Sequence, residues 1–234
     1  MNDEVKNARD RLIVALDFPE AAQALDLVHD LAGEISIFKI GLQLYTAAGP
    51  EIVRAVAAGG AKIFLDLKLH DIPNTVAKAI QAAAGLGVQM LTIHLSGGRQ
   101  MIEAAVAAAP NELLLLGVTV LTSSDETTLR ETGVSRGVEE QALALAQLGA
   151  DAGVGGLIAS SQEVRSLRAR LGAKIKIITP GVRPAGAAAN DQKRFSTPRE
   201  AIANGADYLV IGRPITANAD PRAAVREILA ELAD

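Results

Sequence analysis

The chain has 234 residues, 49% of them hydrophobic but only 3% aromatic, and a formal net charge of −4 at pH 7. That length exceeds the common single-domain size yet is short for two, so one domain over residues 1–234 with a core of Ala, Leu, Ile and Val is expected. The absence of cysteine excludes disulfides, thiolate nucleophiles and cysteine-ligated metal centres, and the acidic balance argues against a broad polyanion-binding surface, so no nucleic-acid partner is expected.

The opening Met1-Asn2-Asp3-Glu4-Val5-Lys6 is polar and lacks a signal pattern, and no apolar run approaches the roughly 18 residues that span a bilayer. A cytoplasmic protein without a membrane partner is expected. From there, short apolar runs rich in β-branched residues alternate with Ala-rich stretches of helical period, with Gly, Pro or an N-cap residue at each change. Strands are predicted at Leu12–Leu16, Ser36–Ile40, Lys62–Leu67, Met90–His94, Leu114–Val120, Gly156–Ala159, Lys174–Thr179 and Asp207–Gly212. Helices are predicted at Pro19–Leu31, Pro50–Ala58, Asn74–Ala84, Gln100–Ala108, Val138–Leu148, Gln162–Leu171, Pro198–Asn204 and Pro221–Leu232. Pro19, Pro50, Pro198 and Pro221 suit first helical turns, where the missing N–H has no intrahelical partner to lose. The polar stretch Thr122–Arg136 is assigned to an inserted loop with a short helix.

The first five strands recur at roughly 24 to 28 residues, the spacing of a repeated strand-plus-helix unit, and the full set matches a closed, single (β/α)8 TIM barrel. A doubly wound open sheet is the alternative. Val14-Ala15-Leu16-Asp17-Phe18-Pro19, however, lacks the glycines of a dinucleotide-binding turn, which favours the barrel.

In such a barrel the functional side chains occupy the C-terminal ends of the strands. Asp17 closes the first strand, Lys39 lies near the end of the second in Phe38-Lys39-Ile40-Gly41, and Asp66 with Lys68 closes the third. Alternation turns Asp66 and Lys68 to one face and Leu65 and Leu67 to the other. Asp71 follows just beyond the strand, and Thr75 one helical turn on. Charges gathered at one mouth interact at roughly 4 kcal/mol per close pair at an effective dielectric of about 20, enough to shift one another's ionisation. Lys39 alternating with Asp66, and Lys68 with Asp71, favours an immobile ammonium, which suits a proton donor and opposes the neutral amine of a Schiff-base enzyme.

Across the mouth, Thr179-Pro180-Gly181-Val182-Arg183-Pro184 ends the seventh strand and Ile211-Gly212-Arg213-Pro214 the eighth, the loops that most often hold phosphate in barrels. Gly212 lets backbone N–H groups approach phosphate oxygens, and Arg183 or Arg213 adds a charge-assisted fork. Pro184–Lys193, rich in Ala and Gly, is expected to close as a lid carrying Gln192. Thr122 and Ser123 offer hydroxyls and N–H groups to a heterocycle edge. His29, His70 and His94 form no i, i+4 pair, so a helical zinc motif is absent and no metal site is assigned. His29 is expected on an exposed helix face, and neither other histidine is given a catalytic role.

The segment Asp66-Leu67-Lys68-Leu69-His70-Asp71-Ile72-Pro73-Asn74-Thr75 resembles the signature of the bacterial orotidine 5'-monophosphate decarboxylases. Similar matches run nearly end to end: Ala15-Leu16-Asp17, Phe38-Lys39-Ile40-Gly41, Val120-Leu121-Thr122-Ser123, Pro180-Gly181-Val182-Arg183-Pro184, Asn190-Asp191-Gln192 and Ile211-Gly212-Arg213-Pro214. The resemblance implies conversion of orotidine 5'-monophosphate to uridine 5'-monophosphate and CO2 without a cofactor, the last step of de novo pyrimidine biosynthesis. Lys68 would protonate C6 as CO2 leaves, Asp66 would face the departing carboxylate, and Asp17 and Lys39 would hold the ribose hydroxyls. Gln192 and Arg213 would bind phosphate with Arg183 nearby, and Thr122 and Ser123 would lie at the pyrimidine. A homodimer with shared active sites is also implied, in which Asp71, Ile72 and Thr75 reach into the partner's pocket. Asn190-Asp191-Gln192 departs from the pattern, which has Gly before the Asp, and this bears on lid geometry.

Asp-x-Lys-x-x-Asp is shared by the magnesium-dependent 3-keto-L-gulonate 6-phosphate decarboxylases and hexulose phosphate synthases. Those relatives are expected to place a glutamate metal ligand where Lys39 stands, and a lysine there opposes a divalent cation. A non-catalytic phosphate-binding barrel is the remaining alternative; intact Asp66, Lys68 and Asp71 argue against it.

Overall fold

The computed structural model describes residues 8–184 and 196–233. Among these, β1 (Leu12–Ala15), β2 (Ile37–Gly41), β3 (Lys62–Leu69), β4 (Met90–His94), β5 (Leu114–Val118), β6 (Gly156–Ile158), β7 (Lys176–Pro180) and β8 (Tyr208–Ile211) run parallel and close into a barrel in chain order. Pairing of β1 with β8, Leu12 opposite Leu209, shuts the ring. The expected architecture is the observed one.

The helices are α1 (Ala21–Asp30), α2 (Leu42–Ala48), α3 (Pro50–Ala58), α4 (Pro73–Ala84), α5 (Arg99–Ala108), α6 (Glu126–Glu131), α7 (Val138–Asp151), α8 (Val164–Leu171), α9 (Pro198–Ala203), α10 (Arg213–Thr216) and α11 (Pro221–Ala233). Strand alternation feeds two separate apolar cores. Val14, Phe38, Ile40, Leu65, Leu91 and Ile93 point outward beneath the helices. Ile13, Ile37, Phe64, Met90, Val118 and Val210 belong to the plug that fills the barrel. Chemistry is therefore confined to the mouth above that plug.

Close docking of α7 depends on small residues. A Cβ on Gly117 of β5 would fall 2.5 Å from Leu95 Cδ2, and one on Gly149 of α7 would fall 2.8 Å from the same atom. Leu95 thus keys into room left by two glycines, one on each layer.

The structure departs from the sequence expectation in several places. β3 runs past the predicted Leu67, because a register shift against β4 between Leu65 and Leu69 lets pairing resume with Leu69 opposite Ile93. Lys68 sits in that irregularity at φ +50°, the left-handed region that non-glycine residues seldom occupy. β5 stops at Val118 rather than Val120, and β7 is shifted to Lys176–Pro180. Pro19 stays outside α1, which begins at Ala21 after Glu20, whereas Pro73 opens α4. No helix is predicted at Leu42–Ala48, yet α2 forms there and is parted from α3 only by Gly49 at φ +64°. The insertion after β5 does hold a short helix, α6, capped by the Asp125 carboxylate accepting from the Thr128 N–H at 3.0 Å.

Candidate active site

A cavity of about 520 Å³ opens at the C-terminal mouth of the barrel. Its charged wall comes from β1 to β3, whose inward residues continue the interior column past the apolar plug. Lys39 Nζ donates to Asp17 Oδ1 at 3.1 Å and stands 3.6 Å from Asp66 Oδ2. Lys68 Nζ donates to the same Oδ2 at 2.8 Å. Gly41 leaves the room this needs, since a Cβ there would lie 2.8 Å from Lys39 Nζ and 3.4 Å from Asp17 Oδ1. The result is an alternating row, Asp17, Lys39, Asp66, Lys68, with Asp66 shared between two ammonium groups.

Asp66 is 9% exposed. Burial raises its carboxyl, but the charges of Lys39 and Lys68, with hydrogen bonds from Lys68 and Thr92, outweigh burial and hold it below the ordinary carboxylate value. It is an anion at neutral pH. His94 shifts the other way for its charged form: burial first, then His70 and Lys68, lower its pKa against the opposing pull of Asp66. Its ring lies 5.5 Å from that of His70, and neither ring lines the cavity.

The opposite wall is cationic. Arg183 is buried at 5% exposure, and its N–H donates to Ser196 O at 3.0 Å. Burial, then the charge of Arg213, lowers the pKa of its guanidinium. Among the described residues its Nε has no hydrogen-bond partner. Two guanidinium groups that repel each other beside an open cavity make a site that an anion relieves. Gly212 adjoins them; a Cβ there would lie 3.4 Å from Asp17 Oδ2. Between the walls, Ala15, Phe64, Val118, Ile158 and Val210 form an apolar floor.

Of the residues singled out from sequence, Asp17, Lys39, Asp66, Lys68, Thr122, Arg183, Gly212 and Arg213 line this one cavity. Ser123, Asp71, Ile72 and Thr75 do not. The expected pairing of Lys68 with Asp71 is not made within the chain: Asp71 is exposed, its Oδ1 accepting from the Ile72 N–H at 2.6 Å, and Lys68 pairs with Asp66 instead. Gln192, and the lid expectation from residue 185 onward, lie outside the described residues. Two residues escaped the sequence reading. Gln43, which lines the cavity, belongs to the unforeseen α2. Thr92 was legible in principle, because alternation in Met90-Leu91-Thr92-Ile93-His94 turns a lone hydroxyl into the barrel.

Among the described residues no group of three or more His, Asp or Glu side chains is placed to hold a metal ion. No helix among them is long and apolar enough to cross a membrane.

Comparison with known proteins agrees with this geometry. Residues 10–228 match the model of the family described as "Orotidine 5'-phosphate decarboxylase / HUMPS family". A protein of Nitrosococcus oceani named orotidine 5'-phosphate decarboxylase is 51% identical, over 97% of this chain and 99% of its own length. One of Moorella thermoacetica with the same name is 49% identical, over 97% of this chain and 93% of its own length. The crystal structure of orotidine 5'-phosphate decarboxylase from Lactobacillus acidophilus superposes with a TM-score of 0.84 at 37% identity, over 95% of this chain and 98% of that one.

Proposed function

Because the chain belongs to the orotidine 5'-phosphate decarboxylase / HUMPS family, and relatives of about half identity carry the decarboxylase name over nearly their whole length, it is a carboxy-lyase acting on orotidine 5'-monophosphate, and we propose Lys68 as its proton donor. The C6–carboxylate bond breaks, its electron pair stays at C6, CO2 departs, and the Lys68 ammonium delivers a proton to C6 to give uridine 5'-monophosphate. Solvent then restores the proton on Nζ. A carbanion forming at C6 is stabilised most by a fixed cation over a floor that excludes water, which is what Lys68 above Phe64, Val118 and Ile158 provides.

The observation that carries this reading is Asp66 Oδ2 shared by Lys39 and Lys68 over an apolar floor, opposite an arginine pair, in a cavity of nucleotide size. In the proposal Asp66 faces the departing carboxylate and holds Lys68 in place. Asp17 and Lys39 bind the ribose hydroxyls, Thr122 the pyrimidine edge, and Arg183, Gly212 and Arg213 the phosphate; Ser123, outside the cavity lining, keeps its place at the pyrimidine by resemblance alone. Binding energy taken from the phosphate is then available to hold C6 against Nζ. Gln192 keeps its assignment to the phosphate by resemblance alone. Lys39 sets the magnesium-dependent relatives aside, since it occupies the strand end where their glutamate ligand is expected.

A homodimer with shared sites completes the reading. Ile72 is 66% exposed, and Leu42 and Leu121 are also exposed large apolar side chains at strand ends of the same mouth. Exposed apolar side chains around the mouth fit a second copy of the chain, with Asp71, Ile72 and Thr75 offered to the partner's site. The cysteine-free, acidic composition suits one cytoplasmic catalytic domain without nucleic-acid or membrane partners.

The test is turnover of orotidine 5'-monophosphate in EDTA, followed by pyrimidine absorbance. Activity in EDTA is expected. Activity only with magnesium and a sugar phosphate would instead favour the relatives, and uridine 5'-monophosphate binding without turnover a phosphate-binding barrel. For shared sites, inactive Lys68→Ala and Asp71→Ala proteins should regain activity when mixed, because each heterodimer rebuilds one intact site; no recovery on verified subunit exchange would contradict sharing.

A further inference from the structure

We propose that Thr92 is a positioning residue for this reaction: one hydroxyl ties the backbone of Lys68 to the carboxylate of Asp66 and so fixes where the proton donor stands. The proposal rests on the reading of Lys68 as that donor.

Thr92 lies on β4 and is fully buried. Its neighbours Leu91 and Ile93 belong to the outer core and Met90 to the barrel plug, so Thr92 points inward, directly beneath the charged row. It does not line the cavity, which makes contact with substrate an unsuitable account of its role. A hydroxyl has one proton to donate and two lone pairs to accept with, and both functions are used on the Asp66–Lys68 pair. Lys68 N–H donates to Thr92 Oγ1 at 2.8 Å, and Oγ1 donates to Asp66 Oδ1 at 3.0 Å. The directions are fixed, because an ionised carboxylate only accepts and a backbone N–H only donates.

The ladder explains why a hydroxyl is needed there. β3 pairs regularly with β4 at Phe64–Met90 and Leu65–Leu91 and resumes at Leu69–Ile93, so the catalytic residues fall in the gap. Within that gap Lys68 adopts φ +50°, a conformation that persists only where its surroundings impose it. Thr92 Oγ1 takes the place of the ladder carbonyl for the Lys68 N–H. At the other end of the residue, Nζ is held by Asp66 Oδ2 at 2.8 Å. A closed circuit results: backbone N–H to hydroxyl, hydroxyl to carboxylate, carboxylate to ammonium of the same lysine. Valine would fill the same volume in this aliphatic plug, so the hydroxyl, rather than the shape, is what the site uses. Without it the Lys68 N–H is left unpaired in the interior, its backbone is free to leave the left-handed region, and Asp66 loses the donor that sets its rotation.

The experiment compares Thr92→Val, Thr92→Cys and Thr92→Ser with the wild type and with Lys68→Ala, measuring kcat, KM for orotidine 5'-monophosphate and melting temperature. Thr92→Val is expected to lower kcat by about ten- to a hundredfold through misplacement of the donor, with KM changed by less than about twofold because ribose and phosphate are held elsewhere. Thr92→Ser should restore kcat to within about threefold, and Thr92→Cys, a weak donor of similar size, should fall between and serves if valine does not fold. Wild-type kcat in Thr92→Val alongside an inactive Lys68→Ala would overturn the positioning role and leave the donor assignment standing. Activity in Lys68→Ala would remove the donor reading itself. A loss that serine does not recover, or one carried equally by KM, would assign Thr92 to packing and overturn the proposal.

Discussion

Asp66 carries more of the site than either lysine it separates, because its Oδ2 holds Lys39 and Lys68 apart while its Oδ1 takes the proton of Thr92. Removing its charge leaves two ammonium groups facing each other with no anion between them. Asp66→Asn is therefore expected to cut kcat by at least about a hundredfold and to lower the denaturation midpoint as well, measured by steady-state kinetics and urea unfolding. Gly41→Ala tests the space around the row: the new Cβ, 2.8 Å from Lys39 Nζ, displaces the flexible end of a side chain rather than backbone. The fold should survive, with kcat/KM reduced by about tenfold; an unchanged kcat/KM would show that Lys39 needs no fixed place. Much of this row was legible beforehand, since period-two alternation alone turns Asp66 and Lys68 inward together. Alternation also turns Thr92 inward, but its role was not legible, because nothing in the sequence shows that the strand it faces is irregular. The place of Asp71 was not legible either: the pairing expected with Lys68 is absent, and its carboxylate instead accepts from the Ile72 N–H.

The irregular stretch of β3 is the element on which the site turns, and β4 beside it stays regular, pairing residue by residue with β5 from Met90 to His94. A fixed strand next to a bulged one gives Thr92 a firm base from which to hold Lys68. Packing is equally tight in the outer layer, where Leu95 enters the room left by Gly117 and Gly149. Gly117→Ala places a Cβ against three atoms of Leu95 within 2.8 Å and should destabilise the protein by about 1–3 kcal/mol, read by urea unfolding, with KM unaffected. Ile72, apolar and exposed at the N-cap of α4, should behave oppositely. Ile72→Glu should leave monomer stability intact while shifting sedimentation towards monomer and lowering activity; a dimer of unchanged affinity would place the interface elsewhere. The barrel could be read from sequence because apolar period and Gly or Pro breaks recur with each strand-and-helix unit. What escaped was local: α2 runs into α3 across one left-handed glycine, Gly49, and a bulge lengthens β3 beyond where alternation breaks.

Over the whole molecule, several ionisable groups link stability to pH with one sign. His94 is kept neutral by burial, with His70 and Lys68 adding to it, so the folded state binds fewer protons than the unfolded chain. Its contribution is complete above the ordinary histidine value of about 6.5 and is lost as pH falls below it. Asp66 is lowered because its lysines outweigh burial, Asp207 because the Ile177 N–H, Lys176 and Arg168 do the same, and Glu34 chiefly by the Arg226 hydrogen bond. Their contributions are present above about pH 4 and lost below it. The urea midpoint should therefore fall in two stages on acidification, and His94→Gln should remove the first; a midpoint level between about pH 7 and pH 5 in the wild type would contradict this. The central claim is that the folded barrel decarboxylates through the Lys68 ammonium, and its most direct test is single-turnover consumption of orotidine 5'-monophosphate in EDTA by wild-type and Lys68→Ala proteins of equal melting temperature. The variant should be slower by at least about a thousandfold while still binding uridine 5'-monophosphate. A Lys68→Ala protein that turns over at near the wild-type rate would contradict the claim.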